Sequence, residues 1–139
     1  MRVVLDQRAL DALAHESGPA ERMVRRAMAA AERLGRDVVV PTVVLAELYR
    51  GGGRNQLIDA LLSREEEGVM LRDTDRAFAR LVGAVLSANG AGSEQLADAH
   101  VVAAAVEVGG GVVVTGDPAD MSQLSSAYRN IVIETLPSR

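Results

Sequence analysis

Four acidic residues stand where a chain ordinarily has little use for a charge. Asp6 follows Val3, Val4 and Leu5 without a break, and Asp117 comes two residues after Thr115, at the end of "VVVT". Glu47 is the one charged residue within "PTVVLAEL". Asp98 sits in "QLADAHVVAAAV", a helical pattern that is apolar on nearly every side and places Asp98 on a face with Val102 and Ala105, against the sheet. A buried carboxylate is costly unless it is paired or takes up a proton, and several converging ones repel unless a cation sits among them. The chain has no cysteine and only two histidines. Oxygen donors alone point to Mg²⁺ or Mn²⁺ rather than zinc. Two such ions, about 3.5–4 Å apart, serve in-line phosphoryl displacement: one acidifies the attacking water, the other takes up charge on the leaving oxygen. That chemistry needs no lysine, histidine or serine nucleophile.

Each acid also has a plainer reading. Asp6 and Asp117 suit helix N-caps, the second with Pro118 in the first turn. Glu47 can snorkel to solvent, and Asp98 suits the positive end of a helix dipole. The conjunction of all four favours a cation site. The histidines compete poorly. His15 ends the first helix without an obvious partner, and His100 lies about 200° around the helix from Asp98, so the two cannot chelate one ion.

The elements that must position these acids alternate along the chain. Short apolar strands are expected at 3–5, 37–41, 69–71, 112–115 and 131–135. Helical spacing follows the first strand at Ala9, Leu10, Leu13 and Ala14. A second helix opens near Pro19 and carries an apolar stripe of Met23, Ala27, Ala30, Ala31 and Leu34. Thr42 is expected to cap a third helix to Tyr49, with "RGGGR" as a loop. Leu57, Ile58, Leu61 and Leu62 mark a fourth helix, and Asp73 or Thr74 caps a fifth. A sixth runs from about Glu94 to Val108, and a seventh starts at Pro118. Strands that alternate with helices and stay apolar throughout argue for a parallel sheet covered on both faces. The class is α/β, a three-layer sandwich, in one domain spanning 1–139. Ligands bind such sheets outside the carboxyl ends of the strands, where Asp6 and Asp117 fall.

Composition narrows the surroundings. No stretch reaches the length of a membrane helix and no secretory pattern opens the chain, so a soluble, cytoplasmic protein is expected. All 15 basic residues are arginine, within a formal net charge of −4. A mildly acidic total leaves room for a polyanion at local clusters. Arg22, Arg26 and Arg33 edge the second helix beside Met23 and Leu34, a pattern that also fits an assembly surface. Arg50 and Arg54 bracket the glycine run, and Arg76 and Arg80 lie opposite Phe78.

Asp6, Glu47 in "VPTVVLAELYRG", Asp98 in "LADAHVVAAAV" and Asp117 in "VVVTGDPADM" resemble, in order and spacing, the acids of PIN domains, and in particular the short VapC-like toxins of bacterial toxin–antitoxin pairs. The resemblance covers essentially the whole chain. It implies a five-stranded, mainly parallel sheet flanked by helices and a Mg²⁺- or Mn²⁺-dependent endoribonuclease acting on RNA. It also implies a homodimer and a small antitoxin that occupies the active-site groove. Asp6, Glu47, Asp98 and Asp117 would be the acidic quartet, Asp6 and Asp98 the surest metal ligands. Thr115 matches a hydroxyl that relatives carry before the fourth acid, and Thr115 and Arg50 are the substrate-binding candidates. Asp120 is read as a helix-face acid.

Gln7 departs from the Ser or Thr that many relatives place after the first Asp. It is the best argument for the alternative, a catalytically inactive PIN-like scaffold that binds RNA or protein. A receiver domain would need a late lysine, a haloacid-dehalogenase-type phosphatase Asp-x-Asp where "DQR" stands, and a dinucleotide fold a glycine-rich turn after the first strand. All three are absent.

Overall fold

In the computed structural model, which describes residues 1–138, the chain folds around one parallel sheet. Strand β1 (Arg2–Leu5) is followed by helices α1 (Gln7–His15) and α2 (Pro19–Arg33), then by β2 (Asp37–Pro41). Helices α3 (Thr42–Leu48) and α4 (Gly52–Arg64) lead to β3 (Met70–Arg72). Helix α5 (Arg76–Ala88), a 3-10 turn (Ser93–Gln95) and α6 (Leu96–Val106) precede β4 (Gly111–Thr115). Helix α7 (Pro118–Ser125) and β5 (Ile131–Thr135) complete the described fold.

The strand order is β3-β2-β1-β4-β5, and every pairing is parallel. Successive strand side chains point to opposite faces, so burial of consecutive residues requires cover on both sides. Val3, Val4 and Leu5 are buried in series, as are Val38 to Val40. Helices α1 to α4 pack together as one group and α5 to α7 as another. Helix α6 buries every residue from Ala99 to Ala105, and its small alanines let it lie close over β1, β2 and β4.

The strand order makes β1 and β4 neighbours, with Leu5 level with Val114. The two strands that end in Asp6 and Asp117 therefore run side by side. The chain reverses its direction across the sheet between them, which is where a crevice forms in such folds. Gly111 permits the approach at the other end: a Cβ there would lie 2.4 Å from the Arg2 carbonyl oxygen.

Several boundaries differ from the sequence expectation. Helix α4 starts at Gly52, inside "RGGGR", because Ile58 and Leu61 anchor a helix whose first turn need only be tolerated. Pro41 is the N-cap of α3, and the Thr42 hydroxyl donates to the Arg72 carbonyl at 3.5 Å instead. Asp75, not Asp73 or Thr74, caps α5 by accepting from the Phe78 N–H at 2.8 Å. On α2 the buried residues are Ala20, Val24 and Ala31, whereas Leu34 is 62% exposed beyond the helix end. His15 does have a partner, one helical turn back: its Nδ1 lies 2.7 Å from the Asp11 carboxylate, which also accepts from Arg54. His100 packs edge-on against Phe78, and its Nδ1 meets the Leu96 carbonyl.

Candidate metal centre

Asp6 is buried where β1 hands over to α1, and its carboxylate has three donors in view. Oδ1 accepts from the Ala9 N–H at 2.9 Å, the N-cap bond of α1. Oδ2 accepts from the Thr115 hydroxyl at 2.6 Å and from the Gly116 N–H at 3.2 Å. The Thr115 oxygen in turn accepts from the Asp117 N–H at 2.8 Å. One hydrogen-bonded chain thus runs from the start of α7 through Thr115 to the end of β1. Capping and site placement are the same fact for Asp6, not rival readings. Thr115 is fully buried with its hydroxyl committed to Asp6, so it faces that carboxylate rather than an incoming substrate.

Asp6, Glu47, Asp98 and Asp117 line one cleft of about 350 Å³, together with Gln7, Arg8, Glu94, Ala97 and Gly116. Asp98 reaches it from the first turn of α6, half-buried just ahead of the buried run Ala99 to Ala105. Glu47 stands exposed at the rim, near the end of α3. Asp117 is exposed at the start of α7. The aliphatic stem of Arg8 crosses Gly116 so closely that a Cβ on Gly116 would meet Arg8 Cγ at 2.4 Å. The Arg8 guanidinium runs outward to Glu16, at 2.5 Å, and to the Pro137 carbonyl.

The protonation equilibria report how closely the acids gather. Burial, then the charges of Asp117, Asp6, Asp120 and Glu47, push the Asp98 carboxyl up to about 7. Burial also raises Asp6, against the pull of its hydrogen bonds from Thr115 and the backbone. Asp117 is raised by burial and by the adjacent Asp120. Burial raises Glu47 too, opposed by the positive charge of Arg50 and assisted by Asp6.

Oxygens of Asp98, Asp117 and Asp120 lie within 4.8 Å of one another. Asp120 therefore joins the cluster, contrary to its reading as a helix-face acid. The missed signal was its spacing: three residues past an N-cap is the next position on the same side of the helix. Glu94 and Arg8, both at the cleft, were also unassigned by sequence reasoning. Hard carboxylate oxygens at this spacing, three converging without a lysine among them, suit an oxygen-preferring divalent ion such as Mg²⁺ or Mn²⁺.

An all-parallel sheet in this order, covered by helices and carrying acids beyond its central strands, is the PIN-like fold that the sequence resemblance implied. A chain in the crystal structure of VapBC2 from Rickettsia felis bound to a DNA fragment from their promoter matches this one with a TM-score of 0.67. The match covers 99% of this chain and 100% of that one at 15% sequence identity, a likeness of fold. No family model and no curated protein matches the sequence. Among the described residues, no helix is long and apolar enough to cross a membrane.

Proposed function

We propose that the protein is a divalent-metal-dependent endoribonuclease, the VapC-like toxin of a toxin–antitoxin pair held in check by a small antitoxin. The observation that carries this reading is geometric: Asp6, Glu47, Asp98 and Asp117 line one cleft, and oxygens of Asp98, Asp117 and Asp120 lie within 4.8 Å of one another. The PIN-like fold and its likeness to the VapBC2 chain support the toxin assignment and the antitoxin partner.

In this reading Asp98, Asp117 and Asp120 hold a Mg²⁺ or Mn²⁺ ion, with Asp6 and Glu47 completing the acidic wall. The bound ion supplies a more acidic water and a counter-charge for the phosphoryl group. The Asp98 carboxyl is raised to about 7, so a divalent ion held there would compete with its proton and would bind more tightly as pH rises through 7. Thr115 acts as a positioning residue: its hydroxyl fixes Asp6 Oδ2 and its oxygen orders the Asp117 backbone. Arg50, exposed beyond Glu47, meets a substrate phosphate, and the scarcity of aromatic side chains leaves base stacking a small role. A homodimer follows from the same family resemblance.

Purified protein is expected to cleave RNA with Mg²⁺ or Mn²⁺ and to stop on addition of EDTA. Asp98→Asn should lower the rate by on the order of 100-fold or more, the scale for removing a group that stabilises transition-state charge. Cleavage that persists equally in wild type, Asp98→Asn and EDTA would remove the proposal.

A further inference from the structure

A groove of about 770 Å³ lies away from the acid cleft, where β2 and β3 begin rather than where β1 and β4 end. Helix α2 forms one wall and the turn after α4 the other. Met28, Val38, Val69 and Met70 give it an apolar lining. Met70 is 43% exposed and its neighbour Leu71 is 42% exposed, on a three-residue edge strand. The sheet ends at β3, so no further strand among the described residues pairs with that edge. Natural folds ordinarily charge or cover such an edge, and here the two leading residues are apolar.

The rim is acidic. Glu32, Asp37, Glu65, Glu66 and Glu67 line the groove against Arg25 and Arg36. Arg25 is already engaged, paired with Glu21 and with Glu65 across the groove at 3.4 Å. Among the described residues, Glu32, Asp37, Glu66 and Glu67 make no ion pair, so their charges are open to a ligand. Nucleic acid is repelled by this field, and an apolar peptide without charge would leave it unanswered.

We propose that this groove docks a peptide segment of a protein partner, an apolar anchor flanked by arginine or lysine side chains. The anchor covers Met28 and Met70, and the flanking cations meet Glu32, Asp37, Glu66 and Glu67. Burial at the centre with charges at the rim is the usual anatomy of such an interface. The groove is separate from the acid cleft, so a segment can dock here while RNA occupies the other site.

The test uses a displayed library of random linear peptides selected on the full-length protein. Enriched sequences should carry arginine or lysine around leucine, isoleucine, methionine or phenylalanine, and should bind less tightly as salt rises. Their affinity should fall at least tenfold on the exposed changes Glu66→Arg with Glu67→Arg, and again on Met28→Glu, while Asp98→Asn leaves it intact. Selected peptides without a basic excess, or insensitive to both changes, would overturn the proposal. So would sensitivity to Asp98→Asn, which places them in the cleft, enrichment no better than bare support, or occupation of the groove by a second copy, seen as a dimer that Glu66→Arg with Glu67→Arg dissociates.

Discussion

The Asp6 carboxylate accepts from Ala9, Thr115 and Gly116, which belong to α1, β4 and the turn beyond it. A side chain so placed reports on the register of all three segments. Thr115→Val keeps the shape but removes the donor to Asp6 and the acceptor for the Asp117 N–H. It should cost about 1–3 kcal/mol, the range for leaving a buried polar group unsatisfied, measured by urea unfolding, with Thr115→Ser recovering most of the loss. Stability equal to wild type in the valine variant would mean that the relay holds nothing. Asp98 gives a pH signature. Its folded carboxyl is raised from 3.8 to about 7, so the folded state holds this proton more tightly than the unfolded chain. Its contribution is fully present below about pH 4 and is lost as pH rises through 7. In EDTA, Asp98→Asn should therefore melt higher than wild type at about pH 8, and the gap should close on acidification toward pH 4. A gap that is constant with pH would contradict a strongly raised carboxyl.

At the level of strands and helices, the site depends on two turns meeting, the one after β1 and the one after β4. Gly116 lets the Arg8 stem pass, and Gly116→Ala places a Cβ 2.8 Å from Arg8 Cβ and nearer still to Cγ. Overpacking of this kind costs about 1–3 kcal/mol. Thermal unfolding should show that loss, and Arg8→Ala in the same background should return part of it. No recovery would place the cost elsewhere than at Arg8. The elements themselves were legible in the sequence because runs such as "VVVT" and "DVVVP" have one reading in a doubly covered sheet. Ends were less legible. The glycines of "RGGGR" carry a strong local loop signal, yet Ile58 and Leu61, several residues on, hold the helix that includes Gly52. Asp73, Thr74 and Asp75 are all competent caps, and only the path of the backbone selects Asp75.

For the molecule as a whole, strand order is the property that turns scattered acids into a site. Pairing between β1 and β4 joins residues more than a hundred positions apart, and no local pattern encodes it. Asp120 escaped because its role depends on where α7 meets α6, a packing relation rather than a motif. Its carboxylate and those of Asp98 and Asp117 offer oxygens within 4.8 Å of one another, the proposed position of a divalent ion. Titration calorimetry with Mn²⁺ at slightly alkaline pH, on wild type and on Asp98→Asn, tests that convergence most directly. Wild type should bind Mn²⁺ and Asp98→Asn at least tenfold more weakly; equal affinity in the two proteins, or no binding by either, would contradict the account.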